Sequence, residues 1–270
     1  MPLMDEFKEE RESIKNQPFK KKLEYFWTYY KWWVISAAAV IIILVSVISH
    51  IIKTKDELVY VAMVDVIENP AGNIEDQITV PFLTAHDINT KKNTLMFNTE
   101  FMFSQAGLNS EKTSEGSPSY ANTQGFSERE TLAVYIAAGD VDAICGSDMW
   151  FDHYAYNDFF IPVSDYMTPE EINLYSDHLY YVDGAVVERY RQARKDGDYE
   201  YEEEFPDPAK PEEMEDPVPM GISIESLDLY NNNFLTANGD AKHIVIGIVR
   251  NSENTELTAE LIKYMENGGN

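Results

Sequence analysis

A long apolar run behind a crowd of aromatic side chains constrains this chain more than any other feature. Seven of the nine residues from Tyr25 to Trp33 are aromatic, and from Val34 to Ile52 only three serines and one histidine interrupt the apolar side chains. The run from Trp32 to Ile52 would form roughly 30 Å of helix, which matches the hydrocarbon core of a bilayer. Because a backbone in lipid must satisfy its own hydrogen bonds, the run predicts one transmembrane helix at residues 32–52.

The aromatic side chains suit the membrane–water interface, because Trp and Tyr combine an apolar ring with a polar edge. The residues expected at that interface are Trp27, Tyr29, Tyr30, Lys31, Trp32 and Trp33. A second interpretation treats the helical stripe of Phe26, Tyr29, Tyr30 and Trp33 as a docking face for another membrane protein. A cleavable signal peptide fits less well, because its apolar region is only about 7–15 residues long and ends at a small-residue cleavage site. The flanking ISHIIKTK has no such site.

Lysines are distributed unevenly around the apolar run. Lys15, Lys20, Lys21, Lys22 and Lys31 precede it, whereas only Lys53 and Lys55 follow it before Lys91. This asymmetry predicts a cell-membrane protein with a cytoplasmic amino terminus and an extracytoplasmic remainder. The expected organisation is a cytoplasmic juxtamembrane segment at 1–31, the membrane helix at 32–52, a linker at 53–56 and an extracytoplasmic domain at 57–270.

The outer part of the chain is strongly acidic. Residues 53–270 hold 14 of the 21 basic and 41 of the 47 acidic side chains, a formal charge of −27. Such a surface repels nucleic acid, anionic lipid heads and anionic wall polymers. Two interpretations of it stay open, attraction of cations or basic proteins, or a role in keeping the protein soluble and no other. The partners expected are therefore the lipid bilayer and either another membrane protein or a small ligand, but no nucleic acid. The single Cys145 excludes an internal disulfide framework, and the absence of an N-x-S/T sequon favours a bacterial envelope protein.

Strand-like and helix-like segments alternate after residue 56. Strands are predicted at 57–67, 93–103 and 141–147 and in the later runs VPMGISI and HIVIGIV. Helices are predicted after two S/T-x-x-E capping boxes, Ser127–Glu130 and Thr168–Glu171, and in the final run NTELTAELIKYMENGG. The predicted fold class is α/β, a mainly parallel sheet with helices on both faces. Two polar segments, 104–125 and the acidic 196–216, are predicted to be mobile, solvated loops.

The run AGDVDAICGSDMWFDHYAYNDFFIPVSDYMTPEE resembles a stretch of extracytoplasmic solute-binding proteins, of the periplasmic-binding-protein type 2 kind. The closing pair VPMGISIES and HIVIGIVRNSENTELTAELIKYMEN is similar to their returning strands and last helix, and FKKKLEYFWTYYKWW resembles collars of single-pass clostridial proteins. The resemblance implies membrane-anchored binding or sensing. Such proteins have two lobes, whereas the place of the second lobe, roughly 168–217, is short here. The chain therefore resembles about one lobe of such a protein.

Catalytic motifs are absent from the sequence. It contains no G-x-G-x-x-G, Walker loop, H-E-x-x-H, C-x-x-C or G-x-S-x-G pattern. Asp148, Asp152, His153 and Asp158 would suit an oxygen-rich cation site, but nothing fixes the spacing of the ligands. The sequence therefore predicts no enzyme, no catalytic residue, no metal site and no cofactor.

If the strands at 57–67 and 141–147 are adjacent central strands, a small-ligand site is expected beyond their carboxyl ends, where strand order reverses. That edge would present Glu68, Asn69, Ser147, Asp148 and Trp150, with Trp150 as an aromatic plate for a sugar or peptide. The competing interpretation packs Trp150 into the core. Two functions follow, a binding or sensing domain for a small ligand, or a structural or interaction protein of the envelope that has no such ligand.

Overall fold

The computed structural model describes residues 18–53, 55–103, 120–237 and 241–269, without the side chains of residues 22, 24–26, 28–30, 46–53 and 120–126. The chain divides into two compact units, Met1–Lys55 and Asp56–Asn270. This division falls inside the predicted linker at 53–56.

The described part of the first unit contains one helix, α1, at Phe19–Lys53, which is 35 residues long. It begins directly after Pro18, whose carbonyl accepts the Lys21 N–H at 3.0 Å, as expected from proline's preference for the first turn. Trp27, Trp32 and Trp33 are exposed, while the side chains of Tyr29 and Tyr30 lie outside the described ones. Among the residues that the structure describes, no helix is long and apolar enough to cross a membrane.

The second unit mixes strands and helices. Its strands are β1 Asp56–Val64, β2 Val66–Glu68, β3 Asn93–Phe101, β4 Ala143–Ser147, β5 Leu179–Asp183, β6 Pro217–Ser223, β7 Phe234–Thr236 and β8 Ile244–Ile248. Its helices are α2 Val80–Ala85 (preceded by a π-helical turn at Glu75–Thr79), α3 Tyr120–Ala138, α4 Asp148–Tyr156, α5 Pro169–Leu174, α6 Gly184–Lys195, α7 Asp228–Asn233 and α8 Thr255–Glu266. Short 3₁₀ turns lie at Val163–Asp165, Ser176–His178 and Pro211–Glu213.

Six strands form one sheet in the order β3–β1–β4–β8–β6–β5, and β2 pairs with β7 in a separate two-stranded sheet. β1 is parallel to both β3 and β4, whereas the pairs β4–β8, β8–β6 and β6–β5 are antiparallel. β6 therefore runs in the same direction as β1, β3 and β4, so four strands of this sheet share one direction. The predicted α/β fold with a mainly parallel sheet is confirmed, because four of the six strands run in one direction. The antiparallel pairings were not predicted.

Helices cover both faces of the large sheet, because its central strands are apolar on both sides. In β1, Val59, Val61 and Met63 face a core that includes α2 and α8. Ala62 and Val64 face a second core that includes α3, α4 and α6. This alternation follows from the two-residue period of a strand.

The structure corrects the predicted start of α3. The helix begins at Tyr120, so the Ser127–Glu130 capping box lies inside it and 120–125 is helical rather than loop. Residues 104–119 of the predicted loop lie outside the described residues. By contrast, the Thr168–Glu171 capping box is present at the start of α5, with Pro169 in its first turn.

The acidic segment 196–216 is also more packed than predicted. Phe205 stacks on the buried ring of Tyr156 with 4.0 Å between centroids, and Met214 is buried. The Asp183 carboxylate accepts the backbone N–H groups of Glu215 and Asp216 at 2.8 and 3.1 Å. Met214 is the only buried residue of this segment, so the prediction that it buries little holds for most of its length. Phe205 and the backbone at Glu215 and Asp216 nevertheless attach it to α4 and β5.

Candidate functional site

The predicted switch point exists in the large sheet. The chain passes from β1 to β3 on one side and then to β4 on the other, so strand order reverses between β1 and β4. These two strands are parallel neighbours, with Val61 opposite Ala143 and Val64 opposite Gly146. Their carboxyl ends therefore meet at one edge, which is where open α/β sheets bind ligands.

Trp150 fills this edge instead of lining an open cleft. Its side chain is 3 % exposed, and its indole N–H donates a 2.6 Å hydrogen bond to the Asp65 carboxylate. Phe103 packs edge-on at 5.0 Å between centroids, and the Arg129 guanidinium lies over the indole face at 4.7 Å. Trp150 is thus a core residue, and the prediction that it forms an accessible aromatic plate is wrong.

Asp65 turns the chain out of the large sheet at this point. It is 1 % exposed and has a φ of 56°, a left-handed conformation that few residues other than glycine and Asn or Asp adopt. Its N–H donates to the Phe101 carbonyl at 2.9 Å, and its carbonyl accepts the Ala237 N–H at 2.8 Å. The chain then enters β2, which pairs with β7, and this diverts Glu68 and Asn69 from the switch point.

The five predicted ligand residues therefore fall into two groups. Ser147, Asp148 and Trp150 lie at the start of α4, where the Ser147 hydroxyl is buried without a hydrogen-bond partner among the described residues and Asp148 is half-buried. Glu68 and Asn69 line a recess of about 380 Å³ beside β3. Asn69 donates to the Asn232 carbonyl at 3.1 Å, so part of its role is structural.

The acidic residues around α4 are engaged with other side chains. The Tyr180 hydroxyl donates to the Asp152 carboxylate at 3.0 Å, while Asp158 pairs with Arg191 and Arg250 at 2.9 and 2.5 Å. No cluster of three His, Cys, Asp or Glu ligands that could hold a metal ion occurs among the described residues. The cation site considered from Asp148, Asp152, His153 and Asp158 is therefore not assembled in the described part of the chain.

Asp152 is the centre of a small titratable cluster. Burial raises the pKa of its carboxyl from 3.8 to about 7, against the opposing effect of the Tyr180 hydrogen bond, and the negative Asp148 raises the pKa further. The Tyr180 ring lies edge-on to His243 at 6.0 Å between centroids, and His243 Nδ1 is 2.9 Å from the Glu225 carboxylate. The sequence patterns did not single out Tyr180 or Glu225, because these residues are far apart along the chain.

Two further grooves follow β3 on the face covered by α3. One, of about 570 Å³, lies between β1, β3 and the loop after α3, and the other, of about 510 Å³, lies between β3 and α3. They share Asn98 and Tyr135, and Asn98 donates a 2.6 Å hydrogen bond to the Tyr60 hydroxyl. The recess that contains Glu68 lies against the other face of β3, so this strand has concave surfaces on both sides.

A fourth groove, of about 1030 Å³, lies between residues 165–168 and the start of α8. Asp165, Glu253, Glu256 and Glu260 contribute four carboxylates to it. Lys263 on α8 is bound by Glu171 and Glu260, both at 2.8 Å, so this lysine does not neutralise the other acids. The groove adds to the acidic character of the surface.

Comparison with known protein families, with curated proteins and with solved structures finds no match to this chain. The likeness to solute-binding proteins therefore stays a prediction.

The residue that sequence reasoning missed is Asp65. It stands alone as an acid within the apolar run VYVAMVDVI, and a charged residue in a strand that is buried on both faces needs either a partner or an unusual backbone conformation. Asp65 has both. The charged residue in this run is the available signal that β1 ends before residue 67.

Proposed function

We propose that this chain is a single-pass, membrane-anchored interaction domain that faces outside the cytoplasm and binds a partner through its acidic surface. The observation that carries this proposal is the filled switch point. Trp150 is hydrogen-bonded to Asp65 and covered by Arg129, so the edge where a small ligand would bind is occupied by the protein's own side chains. A lobe of solute-binding-protein ancestry that has lost its cleft fits this arrangement.

The proposed anchor is supported by the sequence run at 32–52 and by the exposed apolar side chains of α1. Ile41, Ile42 and Ile43 are 60–68 % exposed, and Trp33 is 78 % exposed. A contiguous apolar surface of this kind is unfavourable in water and favourable in lipid. The lysine asymmetry gives the proposed orientation, with residues 1–31 inside and 57–270 outside.

Cysteine labelling tests this topology with little background, because the only native cysteine, Cys145, is fully buried. Tyr199 is 82 % exposed and Phe19 is 78 % exposed. In intact cells, a membrane-impermeant maleimide should label the Tyr199→Cys variant, whereas the Phe19→Cys variant should react only after lysis. Labelling of the Phe19→Cys variant alone in intact cells would reverse the orientation, and equal labelling of both before lysis would contradict the anchor.

A second candidate function is binding of a small ligand in the 380 Å³ recess beside β3. Glu68 and Asn69, two of the predicted ligand residues, line it together with Asn73 and Glu75. Cell-wall fragments, sugars and short peptides should raise the melting temperature of the full-length protein if this recess is a site. A Glu68→Gln variant should abolish that shift, and the exposed control Glu202→Gln should retain it.

A further inference from the structure

β3 is an edge strand whose outer side faces no other strand in the described part of the chain. It is the first strand in the sheet order and pairs only with β1, from Asn93 opposite Asp56 to Phe101 opposite Val64. An edge strand presents a row of backbone N–H and C=O groups that can pair with another chain. Proteins protect such an edge with proline, charges or β-bulges. β3 contains no proline, its only charged residue is Glu100, and its register with β1 is irregular near both ends.

Concave surfaces lie beside this edge on both faces of the sheet. Met96 lines both the 570 Å³ groove and the 380 Å³ recess, which belong to opposite faces. Leu95 and Phe97 provide an apolar floor to the recess, while Asn98 and Tyr135 line the groove on the other face. Side chains of a strand alternate between the two faces of a sheet. A strand added to β3 would therefore direct its own side chains alternately toward the groove and toward the recess.

The charged side chains that line the three concave surfaces are of one sign. The carboxylates that line the three surfaces are Glu57, Asp140, Asp142 and Glu253 in the first groove, Glu100 and Glu128 in the second, and Glu68 and Glu75 in the recess. Their linings contain no lysine or arginine. The nearest basic residues along the chain, Lys91 and Lys92, precede the strand. Acidic surroundings of this kind favour a cationic partner and oppose pairing with a second, equally acidic copy.

We infer that the β3 edge binds an extended, lysine- or arginine-rich segment of a partner protein, which adds to the sheet as a seventh strand. Backbone hydrogen bonds would supply affinity, and the grooves would select alternating apolar and basic side chains. This inference deepens the proposed interaction function by naming its surface and the chemistry of its partner. Cysteine labelling tests the anchor independently, so failure of peptide binding would overturn the edge site and leave the topology standing.

Peptides with selective backbone methylation provide the test. The probe is a fluorescent nine-residue peptide of alternating valine and lysine, titrated against the full-length protein in detergent micelles. Two control peptides carry N-methyl groups on either the odd or the even residues. Because an added strand pairs through alternate residues, one control should lose at least tenfold in affinity and the other should bind nearly as well as the probe. Equal binding of both, or no binding of the probe, would overturn the proposal.

Charge variants and hydrogen exchange locate the bound peptide. The double variant Glu57→Gln, Glu100→Gln should weaken binding about tenfold, whereas Glu202→Gln, Glu204→Gln removes the same charge from an exposed segment and should change it less than twofold. Equal effects would indicate attraction to overall charge alone and would contradict the site. Amides of residues 94–100 should gain protection when the peptide binds. If alternate outer amides are already protected in the free protein, or if the protein forms β3-dependent dimers, the edge has another occupant and the inference fails.

Discussion

At the residue scale, one buried and one partly buried contact determine the arrangement around α4. Trp150 closes the switch point through Asp65, and Asp152 is held next to Tyr180 at the neighbouring part of α4. Each contact joins residues that are distant in sequence. Each can be tested by a substitution that keeps the approximate size of the side chain.

Replacing Trp150 with Phe should destabilise the fold without affecting an accessible site. The variant loses a 2.6 Å hydrogen bond to a buried carboxylate and part of the ring that Phe103 and Arg129 contact. We expect the free energy of unfolding to fall by about 2–3 kcal/mol, measured by denaturant titration. The exposed control Tyr199→Phe should change it by less than about 0.5 kcal/mol. A neutral Trp150→Phe variant would contradict the packed arrangement.

Asp152 should make stability depend on pH. Its folded-state pKa is raised from 3.8 to about 7, so between these values the folded protein binds more protons than the unfolded chain. Stability contributed by the protonated carboxyl is therefore lost as pH rises through this window. Asp152→Asn keeps a neutral hydrogen-bond acceptor for Tyr180 and should remove this loss.

The measurement is the difference in free energy of unfolding between the Asp152→Asn variant and the wild type. This difference should be larger at pH 8 than at pH 5 by on the order of 2 kcal/mol, after allowing for partial exposure of Asp152. The matched exposed variant Asp177→Asn should give the same difference at both pH values. A pH-independent difference for Asp152→Asn would show that its carboxyl titrates normally.

At the element scale, strands were more predictable than helix boundaries and loops. β1, β4 and β8 follow from apolar runs, because such runs are needed wherever both faces of a strand are buried. β3 and β6 were also predicted as strands, although both are only partly buried. The start of α3 was mispredicted because an S-x-x-E pattern is a local signal that also occurs inside helices. There the Thr131 hydroxyl donates to the Ser127 carbonyl one turn earlier, at 2.8 Å. The acidic composition of 196–216 likewise did not indicate that Phe205 packs against the rest of the fold.

Phe205 gives the element-scale prediction. Its ring stacks on Tyr156 at 4.0 Å and lies 5.8 Å from the ring of Tyr190 on α6. Phe205→Ala should therefore lower the free energy of unfolding by about 1–3 kcal/mol and increase protease sensitivity within 196–216. Tyr199→Ala in the same segment should have little effect, because Tyr199 is 82 % exposed. Equal effects of the two variants would restore the interpretation of this segment as a solvated loop.

At the scale of the whole molecule, the fold class could be predicted but the candidate site could be predicted only in part. The α/β pattern follows from periodicity, whereas the adjacency of β1 and β4 was an assumption that the structure confirms. The antiparallel pairings of the sheet could not be predicted from periodicity. The residue pattern of a strand that is buried on both faces is the same for either direction of the strand. The switch point is filled because Trp150 forms a hydrogen bond with Asp65, which lies 85 positions away in the sequence. No local sequence pattern predicts this pairing.

The proposed interaction gives a function to the negative charge of residues 53–270. A formal charge of −27 after residue 52 and three acidic surfaces beside one open strand edge point to the same kind of partner. In this proposal, the filled switch point excludes a small ligand, and the β3 edge is the binding surface instead. The domain would use its sheet edge for binding because the position used by ligand-binding lobes is filled.

Fluorine NMR of the full-length protein labelled with 5-fluorotryptophan tests that central claim most directly. The Trp150 resonance can be assigned with the Trp150→Phe variant, and the other three tryptophans lie in α1. The account predicts that sugars, cell-wall fragments and soluble paramagnetic agents leave the Trp150 signal unchanged, because its side chain is 3 % exposed. A saturable shift of this signal by a small molecule, or its broadening by the paramagnetic agent, would contradict the account and restore the switch point as a ligand site.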